Sequence, residues 1–295
     1  MKKGKILFIL LVVIVFAGGM LLYIQKHGTL RTSGQVDKVS QDISAGQAVL
    51  IDGDTGKVLY EKAADEKAYP ASTTKIMTAL VTLETLMKYD SPIDQLIEVP
   101  QCAEGVEGSS LYLKAGERIS IEDLLYGLML VSGNDAAVAL AEVIGGSQEE
   151  FVEMMNIRAA ELGCTGTNFV NPNGLFDDNH YTTARDMALI ACEAMKNETF
   201  RKIVGSQQWN AASRESTYVT FRNKNKTVFQ YEGGNGIKIG YTENSGRTLV
   251  ASARRGEKSM ICVVMSAPDW FNDAYKLMDQ GFRKEQNQKV IRLIL

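Results

Sequence analysis

Strand-like segments lie near both ends of this 295-residue chain, and a long helical block separates them. The residues Gln47–Asp52 and Lys57–Glu61 form a predicted hairpin around a Gly-Asp-Thr-Gly turn. Near the other end, three strand-like runs follow one another closely enough to be antiparallel neighbours, at 236–242, 248–254 and 260–265. This order predicts an α+β fold, with one antiparallel sheet assembled from both chain ends and a helical subdomain inserted between them.

Between the strands, apolar residues recur at helical spacing over about 88–205. Capping residues and glycine stops place the starts of the predicted helices near Ile121, Asp135, Ser147 and Thr183. A further strand is expected at 218–221 and a closing helix at 272–282. The expected catalytic domain therefore covers 43–283, and a short C-terminal tail follows at 284–295.

The first 31 residues are not expected to join that core. Three lysines among the first five residues precede an uncharged run from Ile6 to Ile24. A helix of that length spans about 28 Å, close to the roughly 30 Å of a bilayer core. The run continues beyond its one cluster of small residues, Ala17-Gly18-Gly19. These features favour an uncleaved signal anchor over a cleaved signal peptide, with the lysines cytoplasmic and the catalytic domain exported. A polar linker is expected at 32–42.

Charge is unevenly distributed between these two parts. The first 31 residues carry five cations and no acids, which leaves about −8 for the rest of a chain whose net charge is −3. Nucleic-acid-binding proteins present a basic surface, so an acidic exported domain excludes that class of partner.

Cysteine and histidine are too scattered to indicate a metal site. The four cysteines are Cys102, Cys164, Cys192 and Cys262. None forms a Cys-x-x-Cys pair, and four separate buried thiols are preferred over disulfides. The histidines are His27, beside the apolar run, and His180. No metal or cofactor is expected, and the scarcity of histidine favours another residue as a catalytic base.

Ser72 and Lys75 form a Ser-x-x-Lys pair at the start of an apolar helical run that extends to about Met87. Residues three apart share a helix face, so the hydroxyl and the amine are expected to be neighbours. A serine becomes a good nucleophile when a base removes its proton. A lysine can be that base when burial lowers its pKa. An incidental lysine at a helix start is the plainer interpretation.

Two further short elements follow that pair, Ser132-Gly133-Asn134 and Lys238-Ile239-Gly240. Together the three resemble the signature of penicillin-recognising serine enzymes: Ser-x-x-Lys, Ser-x-Asn and Lys-Thr-Gly. Longer runs resemble the D-alanyl-D-alanine carboxypeptidase family, the low-molecular-mass penicillin-binding proteins; they lie at 52–60, 71–80, 130–141, 171–175, 180–188 and 249–253. The resemblance covers about 43–282 and implies the β-lactamase/transpeptidase-like fold. Many family members carry a further β-rich domain and a C-terminal anchor, which an N-terminal anchor is expected to replace here.

The resemblance also implies a mechanism. Ser72 would attack the carbonyl between two D-alanines at the end of a peptidoglycan stem peptide, and Lys75 would take its proton. Ser132 and Lys238 would pass a proton on to the leaving amine. Water would then release the acyl-enzyme, whereas β-lactams would acylate the same serine and leave slowly.

The resemblance assigns substrate binding to Asn134 and to the strand segment Lys238-Ile239-Gly240-Tyr241. The side-chain amide of Asn134 would hold the substrate. The backbone N–H groups of Ser72 and Tyr241 would form the oxyanion hole. His180 receives no catalytic role and is expected to order the loop before the helix that begins at Thr183.

Two departures from the family pattern bear on the substrate. Lys-Thr-Gly is Lys-Ile-Gly here, and Ile239 cannot donate a hydrogen bond to a substrate carboxylate. Family members often carry an arginine after the last strand, but Ala267–Asn272 contains none, and Trp270 stands near the expected position. Arg254 or Arg255 is a possible substitute.

These departures leave three functions open. The first is a carboxypeptidase that tolerates the variation. The second is a hydrolase for substrates without a free carboxylate, either an endopeptidase or a D-alanyl esterase. The third is a weakly active protein that binds wall peptide or β-lactam. The expected location is the cell membrane, with the catalytic domain outside, or secretion if the N-terminal segment is cleaved.

Overall fold

The computed structural model describes residues 43–214 and 218–294, with side chains up to residue 284. The predicted anchor at 1–31 and linker at 32–42 lie outside the described residues. Within the described ranges, no helix combines the length and apolar character needed to cross a bilayer.

The main sheet has five strands, β1 (Gln47–Asp52), β2 (Val58–Lys62), β7 (Gly234–Thr242), β8 (Gly246–Arg255) and β9 (Lys258–Met265). Their order in the sheet is β2-β1-β9-β8-β7, and every neighbouring pair is antiparallel. The N-terminal hairpin therefore joins the C-terminal meander through the β1–β9 pair. The predicted α+β fold, with its sheet from both chain ends, is confirmed.

The helices of the described part are α1 (Lys75–Lys88), α2 (Ile121–Tyr126), α3 (Asn134–Gly145), α4 (Gln148–Glu161), α5 (Ala184–Ala194), α6 (Glu198–Gly205), α7 (Thr227–Gln230) and α8 (Trp270–Ile294). Helices α2 to α5 begin close to the predicted starts. Helix α8 begins before the predicted closing helix and continues through most of the stretch expected to be a tail.

Two short strand pairs lie outside the main sheet. Strand β3 (Leu96–Glu98) pairs with β4 (Arg118–Ser120), and β5 (Gln208–Asn210) pairs with β6 (Thr220–Arg222). The strand expected at 218–221 therefore forms part of a separate two-stranded sheet.

The two faces of the main sheet are covered differently. Val49, Val263 and Val250 are aligned across β1, β9 and β8, and they belong to the buried core that includes α1. On the other face, Gly281 of α8 lies so close to Leu50 and Met260 that an added Cβ would be 3.0 Å from each. The helical block therefore covers one face and the C-terminal helix covers the other.

The four cysteine thiols are unpaired. Cys164 and Cys262 are buried as expected, whereas Cys102 is exposed and Cys192 is half-buried. The expectation of four buried thiols is therefore wrong for these last two.

Candidate active site

Ser72 lies in a single 3-10 turn, Ala71–Thr74, directly before α1. Thr73 Oγ1 donates to the carbonyl of Pro70 at 2.6 Å and fixes the entry to this turn. Gly174 packs so tightly against the turn that an added Cβ would lie 1.9 Å from the Ala71 carbonyl oxygen. Only glycine fits there, so a loop from the helical block supports the serine from one side.

Lys75 is fully buried one turn after Ser72. Its Nζ donates to Ser72 Oγ at 3.0 Å, to Asn134 Oδ1 at 2.7 Å and to the Asn173 carbonyl at 2.5 Å. Burial lowers the pKa of Lys75 well below its ordinary value, the positive charge of Lys238 lowers it further, and Asp135 opposes the shift. The structure therefore places a readily deprotonated amine beside the serine hydroxyl.

The second element is held between a π-helical turn, Gly127–Val131, and helix α3. Ser132 is buried and has the left-handed backbone conformation, with φ of 70°. Asn134 begins α3, and its side chain accepts a hydrogen bond from Lys75 while its Nδ2 donates to the Glu107 carbonyl at 2.6 Å. The first two signature elements are therefore in direct contact through this asparagine.

Lys238 lies on β7 and is buried. Its Nζ donates to the carbonyl of Ile239 at 3.2 Å. Burial lowers the pKa of Lys238 to about 7, and the positive charge of Lys224 contributes to that shift. A pKa near neutrality suits this amine to proton transfer in either direction.

Gly240 brings β7 against the serine. A Cβ on this residue would lie 2.9 Å from the backbone nitrogen of Ser72 and 2.5 Å from Thr248 Oγ1. Thr248 Oγ1 in turn donates to the Pro70 carbonyl at 3.2 Å. The edge strand of the sheet therefore passes directly beside the Ser72 amide, an approach that a side chain at position 240 would block.

Ile239 and Tyr241 lie on the opposite face of β7, because side chains alternate along a strand. Ile239 is half-buried and pairs with Leu249, whereas Tyr241 is 62% exposed and pairs with Arg247. The structure therefore places both at the open edge of the sheet, while Lys238 and Gly240 face the serine side.

Sequence reasoning assigned no role to Asn173 or Asp135. Asn173 contacts Lys75 through its backbone carbonyl, so its side-chain type gives no signal. The carboxylate of Asp135 accepts from Ser110 Oγ at 2.6 Å and from the backbone N–H groups of Leu111 and Leu113 at 2.8 and 3.2 Å. Asp135 therefore fixes the loop that flanks Asn134.

His180 supports the serine turn from behind. Its Nδ1 accepts from the Val170 N–H at 3.1 Å, so Nε2 carries the proton and donates to Thr74 Oγ1 at 2.8 Å. Burial lowers the pKa of His180 to about 4, which keeps the imidazole neutral at physiological pH. It joins the loop at Val170 to the Ser72 turn, in keeping with its expected ordering role.

Arg254 and Arg255 are not placed to replace the family arginine. Arg254 pairs with Asp54 at 2.7 Å, and Arg255 pairs with Asp279 at 3.2 Å. Along β8, Arg254 is six residues from Thr248, the partner of Gly240, which is about 20 Å of extended chain. The suggested substitution by either arginine is therefore wrong.

A sequence profile of the D-alanyl-D-alanine carboxypeptidase family matches residues 33–269. Among curated proteins, the D-alanyl-D-alanine carboxypeptidase DacF of Bacillus subtilis is 43% identical over 225 residues, 76% of this chain and 57% of the relative. DacC of Escherichia coli is 35% identical over 279 residues, 90% of this chain and 68% of the relative. The chain thus spans little more than half the length of the Bacillus protein.

Solved structures of DD-peptidases and penicillin-binding proteins are also similar to this chain. The Streptomyces K15 DD-transpeptidase superposes with a TM-score of 0.74 at 33% identity, over 82% of this chain and 98% of that one. Penicillin-binding protein 6B of Escherichia coli superposes with a TM-score of 0.76 at 32% identity, over 84% of this chain and 80% of that one.

Proposed function

The chain belongs to the D-alanyl-D-alanine carboxypeptidase family, and from this premise we propose that it is a serine hydrolase that removes the terminal D-alanine of peptidoglycan stem peptides through a Ser72 acyl-enzyme. One observation carries the proposal: the buried amine of Lys75, with its lowered pKa, lies 3.0 Å from Ser72 Oγ. A neutral amine at that distance can take the hydroxyl proton as the oxygen attacks.

In the acylation step, Ser72 Oγ bonds to the carbonyl carbon between the two D-alanines, and its proton passes to Lys75. The C–N bond then breaks, and the leaving amine receives a proton through Ser132 and Lys238. Water next attacks the ester, restores the Ser72 hydroxyl and releases the shortened peptide. The lowering of the pKa of Lys238 to about 7 by burial supports its part in this relay.

The developing oxyanion would be held by the backbone N–H groups of Ser72 and Tyr241. The close approach of Gly240 to the Ser72 nitrogen supports this pairing, because it brings the two segments within one site. Removal of one such donor in related chemistry costs a few kcal/mol of transition-state stabilisation.

The substrate peptide would lie along β7. This strand is at the edge of the sheet, so an extended peptide can add to it as a further strand. The side-chain amide of Asn134 would hold the substrate on the other side, since its oxygen and nitrogen each retain one hydrogen-bonding position beyond those used for Lys75 and Glu107. β-Lactams would enter the same cleft and acylate Ser72.

Release of D-alanine from a peptide that ends in D-Ala-D-Ala tests this function. The wild-type chain is expected to release one D-alanine per peptide, and Ser72→Ala is expected to release none while it retains the wild-type melting temperature. Penicillin acylation without D-alanine release would instead identify a binding protein, and release of D-alanine by Ser72→Ala would exclude the mechanism.

The N-terminal segment is proposed to hold the enzyme at the membrane. The support is sequence alone: an uncharged run of 19 residues, Ile6–Ile24, behind three lysines. In this proposal the catalytic domain acts in the cell envelope, where its substrate lies.

A further inference from the structure

A cavity of about 490 Å³ lies at the end of the main sheet away from Ser72. Residues of β7, β8, β9 and the β1–β2 turn line one side, and residues of α5, α6 and the link between them line the other. On β7, Asn235 lines the cavity five residues before Gly240, which is about 17 Å of extended strand. The cavity is therefore separate from the Ser72 site, and its size is within the range of about 300–1,000 Å³ that small-molecule sites have.

Cations outnumber acids on the wall of this cavity. The charged residues that line it are Lys196, Arg201, Arg254 and Asp54. Arg254 pairs with Asp54 at 2.7 Å, and Lys196 pairs with Glu193 at 2.6 Å. The domain as a whole is acidic, so its overall charge does not account for a surplus of cations around one cavity.

Arg201 is the cation of this wall that has no acid partner. Its Nη1 donates to the carbonyls of Met195 and Lys196 at 2.8 and 2.7 Å, which holds the guanidinium at the C-terminal end of α5. Within the described ranges, its Nε and Nη2 have no hydrogen-bond partner and the guanidinium makes no ion pair. A guanidinium held in place with unused N–H groups is well suited to bind an oxyanion.

Two neutral donors line the same cavity. Asn235 Oδ1 accepts from Ser252 Oγ at 2.6 Å, and Asn235 Nδ2 has no partner in the described part of the chain. Ser259 is held by its backbone N–H, which donates to Asp54 Oδ2 at 2.9 Å, and among the described residues its hydroxyl has no partner. Gly53 leaves space for that hydroxyl, because a Cβ there would lie 2.6 Å from Ser259 Oγ. The cavity therefore offers unused donors from α6, β7 and β9.

We propose that this cavity binds a small organic phosphate through its phosphate group. A phosphate monoester carries about −1.5 to −2 charges at pH 7 and three acceptor oxygens, so it can accept from Arg201, Asn235 and Ser259 together. A carboxylate has a single charge and two oxygens. Free phosphorylated molecules and lipid head groups share this phosphate chemistry. The inference concerns a second site and does not depend on the reaction proposed for Ser72.

The test is calorimetric titration of the full-length protein in a neutral detergent at constant salt. The probes are glycerol 3-phosphate, inorganic phosphate, short-chain phosphatidylglycerol and acetate. The proteins are wild type, Arg201→Gln, Ser259→Ala and the control Arg118→Gln, which removes an equal charge from an exposed position on β4. Wild type should bind glycerol 3-phosphate at one saturable site. Arg201→Gln should weaken this binding by about 10- to 100-fold and Ser259→Ala by about 2- to 10-fold, whereas Arg118→Gln should match wild type.

Two further measurements separate loss of the site from loss of the fold. Penicillin acylation and the melting temperature of Arg201→Gln should equal those of wild type. If the melting temperature falls, Ser259→Ala decides, and unchanged affinity in that variant would overturn the inference.

Three other results would also overturn it. They are the absence of saturable binding of every phosphate probe, an equal loss of affinity in Arg118→Gln, and acetate binding as tight as that of glycerol 3-phosphate. Binding of short-chain phosphatidylglycerol alone, lost in Arg201→Gln, would support the phosphate site and assign it to a lipid head group.

Discussion

At the scale of single residues, Lys75 combines complete burial with three hydrogen-bond acceptors around its amine. Burial favours the neutral form, and only the neutral form can accept the Ser72 proton. An arginine at this position stays protonated. We therefore expect Lys75→Arg to lower the rate of penicillin acylation nearly as much as Lys75→Ala, by at least about 100-fold. Stopped-flow acylation at pH 7 measures this rate, and rapid acylation of the arginine variant would contradict a lysine base.

Ile239 is the second residue at which chemistry can be tested. A threonine there would add one hydroxyl donor on β7, the strand along which the substrate peptide is proposed to lie, and could contact the substrate carboxylate only if that group reaches the side chain at position 239. A hydrogen bond to a charged group corresponds to about 10- to 100-fold in rate. Ile239→Thr should therefore raise kcat/KM for free D-Ala-D-Ala peptides by that factor.

The matched measurement is kcat/KM of Ile239→Thr relative to wild type for a peptide with a blocked carboxylate. The increase should be smaller for this peptide, or become a decrease, because the apolar isoleucine side chain suits a neutral group. Equal effects on the two peptides would show that position 239 does not contact the carboxylate.

At the scale of elements, the Ser72 turn depends on His180 as its link to the helical block. The pKa of His180 is lowered by burial to about 4, whereas an unfolded histidine titrates near about 6.5. Between these values the unfolded chain binds the proton more readily. The stability contributed by neutral His180 is therefore fully present above about pH 6.5 and is lost as the pH falls through 4.

His180→Gln should make the free energy of unfolding less dependent on pH. The glutamine amide can still donate to Thr74, but it has no group that titrates in this range. Urea unfolding at pH 7 and at pH 4 should show that wild type loses about 3 kcal/mol more than the variant over that interval. Parallel stability profiles for the two proteins would mean that His180 is not held neutral by the fold.

The sequence predicted the elements with a repeating pattern and missed those without one. The hairpin, the C-terminal meander and helices α2 to α5 have alternating or helical spacing over many residues. Strands β3 to β5 have three residues each, too few for a period to appear. Helix α6 begins at Glu198, after a gap of three residues from α5, and no helix was predicted over its residues.

The site residues that the sequence predicted are likewise those that belong to a recognisable pattern. Ser72, Lys75, Asn134 and Gly240 were identified from short motifs, and the structure brings these four together. Contacts made by backbone groups cannot be predicted from the side-chain type. An example is the carbonyl of Asn173, which accepts a hydrogen bond from Lys75.

At the scale of the whole molecule, the described domain begins at Ile43, where the chain is tied to its own C-terminal helix. Ile43 is buried, and Ser44 donates from its backbone N–H to Asp273 Oδ1 at 3.1 Å and from its hydroxyl to Asp273 Oδ2 at 2.7 Å. These contacts of Ile43 and Ser44 fix the start of the described domain to α8.

A chain that begins at Ser33 should accordingly remain in aqueous buffer and unfold at the same temperature as the full chain. The full chain should partition into detergent because of Ile6–Ile24. Thermal unfolding and phase partitioning measure these outcomes. Full-length protein recovered from culture medium without its first residues would contradict the uncleaved anchor and indicate a cleaved signal.

The most direct measurement is the position of a penicillin adduct on the intact protein. The wild-type chain is incubated with benzylpenicillin, digested and mapped by mass spectrometry. One equivalent of adduct on the peptide that contains Ser72, absent from Ser72→Ala, is the predicted result. An adduct on any other residue of the folded wild type, or labelling that persists in Ser72→Ala, would contradict Ser72 as the nucleophile.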